Sequence, residues 1–147
     1  MAGILYRLYG RVLIPKAVLQ ELQHPNTPPA IANWLAHRPA WLEIQEVPVS
    51  GGQNLLTRLD PGESAAILLA QGYLPDVLLL MDEENGRLEA ERRNIRTTGT
   101  LGVLDDAAAR GLVDLPEALA RLRATNFRAT ESLLRWFLDR DAQRRKP

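Results

Sequence analysis

The 147-residue chain contains no cysteine. That absence excludes a disulfide framework, a zinc–thiolate centre and a cysteine nucleophile together, and it agrees with a cytoplasmic protein. Long apolar runs are missing as well. The longest are AAILLA and VLLLM, far short of the roughly 20 apolar residues a helix needs to cross a bilayer, so no membrane partner is expected. The opening MAGILYRLYG has neither a basic leader nor a long apolar block, and is expected to be the end of a helix rather than a signal peptide. Histidine is scarce: His24 sits in a proline loop and His37 at a helix end, without the spacing of metal ligands. No GxSxG elbow, Walker loop or GxGxxG is present, which leaves serine hydrolase, NTPase and dinucleotide-binding readings unsupported.

Net charge is zero, from 18 basic and 18 acidic residues, but the charges are unevenly placed. Six acids lie between Asp76 and Glu91 against the single Arg87, whereas eight Arg or Lys lie between Arg121 and Pro147 against three acids. A negative centre beside a positive rim can hold a cation and steer a polyanion towards it. The same pattern also describes solvated helix faces and a frayed basic tail, expected over 141–147. An apolar fraction of 46% in a chain of this length is enough for one domain, 1–147, with a real core.

Short apolar strands alternate with helices, which argues for an α/β fold with a parallel sheet flanked by helices. RVLIP reads as a strand, with Pro15 at the first turn of the helix AVLQEL. HPNTPP is a loop, residues 30–37 a helix, WLEIQEV a strand and VSGGQ a turn. Asp60 caps the next helix, which has Pro61 at its first position and closes at Gly72. VLLLM is a fully apolar run of strand length, expected in the middle of a sheet. Then come a charged helix over 84–93, the strand IRTT, a helix closed by Gly111, and amphipathic helices over 115–123 and 131–140.

The chemistry in this chain rests on its acids. Asp82 directly follows VLLLM, so its carboxylate should project from the strand's carboxyl end, where α/β folds bind ligands; it can equally cap the helix that begins at Glu84. Glu83 is its neighbour. Glu63 stands three residues after Asp60, the spacing of a capping box with aspartate in place of Ser or Thr. Glu21 lies on AVLQEL at the edge of the apolar face. If Glu21, Glu63 and Asp82 converge, their repulsion raises at least one pKa unless a cation neutralises them, and Mg2+ or Mn2+ is the hard cation that carboxylates and waters hold. Such a metal serves phosphodiester hydrolysis by water, with Arg87 or Arg128 to hold the nucleic-acid backbone. If the acids lie far apart, capping and solvation account for them.

The segments LYGRVLIPKAVLQEL, WLEI, LDPGESAAILLA, VLLLMDEENGR, TTGTLGVL and ARGLVDL span almost the whole chain, and together the sequence resembles a PIN domain. The pairing of LDPGE with GTLGVL is similar to a PIN-like subfamily related to VapC-type toxins. The resemblance implies a three-layer fold around a parallel sheet and a Mg2+- or Mn2+-dependent ribonuclease site of four acids. Glu21, Glu63, and Asp82 or Glu83 fall on three of those acids. The resemblance also implies a first, central strand ending in a DTSP-like segment that carries the fourth acid, and this sequence begins after it. The expectation is therefore an incomplete site and a sheet with two unpaired strand edges, prone to associate. A start codon assigned too late, a truncated gene and a strand supplied by a partner are the three explanations, the first preferred.

Two functions follow. The first is a toxin-type ribonuclease acting on single-stranded RNA, with an antitoxin protein as partner and a homo-oligomeric state implied by the resemblance. The second is a non-catalytic PIN module that binds RNA or an antitoxin without cutting.

Overall fold

The computed structural model describes residues 3–47 and 59–147, and the turn expected at VSGGQ lies outside them. The chain divides into two compact units, Met1–Leu8 with Gly99–Pro147, and Tyr9–Thr98.

The second unit carries the strands. In it, β1 (Val12–Pro15) leads directly into α2 (Lys16–Leu22), followed by α3 (Pro29–Ala36) and β2 (Leu42–Gln45). Then come α4 (Pro61–Gln71), β3 (Leu78–Leu80), α5 (Glu84–Arg92) and β4 (Arg96–Thr98). Strands β1 and β2 pair in parallel with Val12 opposite Leu42, and β3 and β4 pair in parallel with Leu78 opposite Arg96. Among the described residues these are two separate two-stranded ribbons, not one sheet.

Helix α4 packs on both ribbons as well as on α2 and α5. Its Ile67 is fully buried and, with Ala70, meets Leu79 of β3, Met81 just after it, Ala90 of α5 and Ile95. The β1–β2 ribbon has its own cluster, built from Leu19, Leu35 and Leu42. At its far end α4 is fixed to β2 by the Tyr73 hydroxyl, which donates to Gln45 Oε1 at 3.0 Å.

VLLLM was expected in mid-sheet, and the structure corrects this. β3 has one paired edge among the described residues. Leu79 and Met81 are buried, while Leu78 and Leu80 are 38% and 46% exposed on the opposite face. An apolar run signals burial on both faces, and here only one face is covered.

Helix α5 sits close on Met81 because Gly86 and Ala90, one turn apart, present almost no side chain. A Cβ at position 86 would stand 2.6 Å from Met81 Sδ. The helix ends at Asn94 with φ +60°, where Ile95 N–H donates to Ala90 O and Asn94 N–H to Glu91 O, a Schellman closure with asparagine in the place usual for glycine.

The other unit contains α1 (Gly3–Tyr9), α6 (Thr100–Ala109), α7 (Leu115–Arg123) and α8 (Glu131–Arg144). Gly111, φ +72°, closes α6 in the same manner as Asn94 closes α5. Leu101, Leu104, Leu115, Leu119 and Leu134 form the core of this unit. Asp105, buried on α6, is paired with Arg144 at 2.7 Å and Arg140 at 3.3 Å from α8. Residues 141–144, read from sequence as the start of a frayed tail, continue α8; Asp141 is buried and pairs with Arg144 and Arg145. No helix among the described residues is long and apolar enough to cross a membrane.

Because Ile67 joins α4 to the β3–β4 ribbon with no exposed surface, Ile67→Ala should lower the unfolding free energy by about 2–5 kcal/mol, read from urea denaturation. A loss under about 0.5 kcal/mol would mean that α4 is not the packing centre of its unit.

Candidate functional site

The candidate site is built at the head of α4. The first turn of any helix leaves backbone N–H groups without intrahelical acceptors, and each must be met. Pro61 opens α4 and has no N–H to satisfy. Glu63 N–H donates to Asp60 Oδ1 at 2.8 Å, so Asp60 caps α4 as read from the sequence. Gly62 N–H donates to Glu21 Oε1 at 2.8 Å. Two carboxylates from different parts of the chain thus satisfy two successive amides of one helix end, where the helix dipole also favours negative charge.

This is how the fold brings Glu21 to Glu63. Helix α2 lies against α4, and Glu21, near the end of α2, reaches the residue that precedes Glu63. Gly62 is buried at that crossing.

Glu83 joins from the other side. Burial, first, and then the negative charge of Asp60 and Glu83 push the Glu63 carboxyl above its ordinary value near 4.5. The expected repulsion was among Glu21, Glu63 and Asp82; the charges that act on Glu63 are those of Asp60 and Glu83, after burial.

Asp82 follows β3 at its carboxyl end, where Met81 N–H continues the ladder to Thr98 O at 2.8 Å. The N-cap position of α5 belongs to Glu83, whose side chain makes no cap hydrogen bond. The alternative in which Asp82 caps that helix is therefore corrected: the helix begins one residue later than a cap at 82 requires.

Oxygen donors of this kind suit Mg2+ or Mn2+. Yet among the described residues no three acids or histidines stand close enough together to hold an ion. The donor chemistry fits a hard divalent cation and the arrangement of these acids alone does not.

Arg87 lies on α5 beside Leu88, in a groove of about 660 Å3 between α5 and β4 that contains none of Glu21, Glu63 or Asp82. Arg128 belongs to the other unit, between α7 and α8. The basic stretch after residue 120 is less available than its composition suggests: Arg121 pairs with Glu117, Arg123 with Glu131, and Arg140, Arg144 and Arg145 with buried aspartates.

A family model for a PIN domain matches residues 2–143. The chain belongs to the PIN-domain family. Comparison with curated proteins and with solved structures finds no match. In this PIN domain, sequence reasoning placed Glu63 and Asp82 by their local context but missed Gly62. Its partner Glu21 is 41 residues away, and no local pattern joins the two.

A carboxyl whose folded pKa is raised binds its proton more tightly in the native state than in the unfolded chain. Its contribution to stability is present below the ordinary value near 4.5 and is lost as pH climbs through the raised value. Glu63→Gln, which removes the titrating carboxyl, should raise the melting temperature at about pH 7 relative to that at about pH 4 when compared with the parent protein. Identical pH profiles for the two proteins would show that Glu63 is not under this strain.

Proposed function

We propose that this PIN domain is part of a Mg2+- or Mn2+-dependent endoribonuclease, of the kind that serves as the toxin of a toxin–antitoxin pair in the cytoplasm. The acids are Glu21, Glu63, Asp82 and Glu83, with single-stranded RNA as substrate. The observation that carries the reading is the head of α4, where Glu21 accepts from the amide of the residue before Glu63 and Glu83 adds its charge. A nuclease-type module is what membership of the PIN family suggests.

These acids do not form a metal site by themselves, so the reading includes one more acid. An apolar parallel strand ending in that acid belongs between β1 and β3. Both ribbons rest on α4, each pairs along one edge among the described residues, and β3 presents exposed Leu78 and Leu80. Edges unpaired among the described residues and exposed leucines also favour association, in keeping with a homo-oligomer or an antitoxin partner.

The second reading is a PIN module that binds RNA or an antitoxin without cutting. It is favoured by one observation, that no three acids stand together as ligands among the described residues. Against it stands the pairing of the C-terminal arginines, which leaves less free positive charge for RNA than the sequence suggests.

The two are separated by cleavage of single-stranded RNA with Mn2+ present. The 147-residue chain should be inactive, and the same chain carrying an apolar strand ending in aspartate ahead of Met1 should cut. Asp82→Ala in the extended chain should abolish cutting. Cleavage by that variant at the parent rate, with contaminating nuclease removed, would take Asp82 out of the site.

A further inference from the structure

Gly62 sits in the second position of α4, in backbone that is not left-handed. Conformational freedom therefore does not explain glycine here, and helix propensity argues for alanine. The reason is space. A Cβ at position 62 would stand 2.7 Å from Glu21 Oε1 and 2.8 Å from its carboxyl carbon, distances that non-bonded atoms do not tolerate. The same residue supplies the amide that Glu21 accepts from, at 2.8 Å.

We infer that Gly62 is a positioning residue. Its amide holds the Glu21 carboxylate at the head of α4, and its missing side chain makes the room that the carboxylate occupies. Glu21 is exposed at the end of a flexible side chain, so a methyl at 62 evicts the carboxylate rather than unfolding the helix. The consequence for the site is specific. Glu21 stays beside Glu63 only while residue 62 is glycine. The role of this contact in RNA cleavage rests on the proposed function; the contact itself does not.

The test is a double-mutant cycle on the full chain, read by melting temperature and by hydrogen exchange at the residue-62 amide. With Glu21 present, Gly62→Ala should lower the melting temperature, because the methyl displaces the carboxylate and leaves the amide unmet. In a Glu21→Ala background the same substitution should raise it, since the space is then open and alanine is the better helix former. Glu21→Ala alone should speed exchange at the Gly62 amide about tenfold, the equivalent of one hydrogen bond, while the Ile67 amide in the same helix keeps its rate. Gly62→Ala having the same sign in both backgrounds, or unchanged exchange at Gly62 in Glu21→Ala, would overturn the inference.

A third measurement keeps the two claims apart. In the strand-extended chain, Gly62→Ala should weaken Mn2+ binding. If the extended chain binds no Mn2+ and the sign reversal holds, the metal reading fails and Gly62 keeps its role. If Mn2+ binds equally well with and without the substitution, Gly62 does not position Glu21 for the metal.

Discussion

Every first-turn amide of a helix needs an acceptor, and at α4 two of those acceptors are carboxylates. Asp60 meets the amide of Glu63 and Glu21 meets the amide of Gly62, while Pro61 brings no donor. Because Glu21 comes from α2, this local requirement becomes a tertiary one and fixes α2 against the start of α4. Because the acceptors are charged, it also collects negative charge around Glu63. The dipole of α4 offsets part of the cost of gathering these acids, while burial first, and then the charges of Asp60 and Glu83, hold the Glu63 carboxyl above its ordinary value. A cation is one way to relieve the remainder, as protonation is another.

The rest of the strand-bearing unit is arranged around the same helix. Ile67 and Ala70 on the buried side of α4 hold the β3–β4 ribbon, and its far end is tied to β2 through Tyr73. Gly86 and Ala90 let α5 settle on Met81, and this sets where β3 ends and where Asp82 and Glu83 emerge. A single helix thus carries two ribbons that are not hydrogen-bonded to each other among the described residues. Two such ribbons are marginal as sheets, since stable sheets of this class bury both faces and pair both edges of their inner strands. Leu78 and Leu80 mark the place where, among the described residues, that requirement is unmet.

Much of this was legible in the sequence. The Asp60 cap of α4, Pro61 at the first helical position and the closure of α6 at Gly111 are local codes, and each is found where the residues place it. The PIN family was legible from motifs spread along the chain, and the family match over residues 2–143 agrees. Four features were not. VLLLM gives an apolar signal whether one face or both are covered, so its exposed face could not be read from composition. The cap of α5 falls on Glu83 rather than Asp82, a one-residue difference that consecutive acids conceal. The Glu21–Gly62 contact joins residues far apart in the chain, and the extension of α8 to Arg144 depends on pairing with Asp105, also distant in sequence. Tertiary partners decide such features, and no window of neighbouring residues contains them.

Under the proposed function, the acids at the head of α4 and the end of β3 would form one metal-binding group together with an acid from a further strand. Paramagnetic broadening of backbone amide signals by Mn2+ in the strand-extended chain tests it most directly. The account predicts that signals vanish first at Gly62, Glu63, Asp82 and Glu83, with those of Glu131 and Asp139 on α8 unaffected. Broadening spread evenly over all acid-bearing surfaces, or centred on α8, would contradict it.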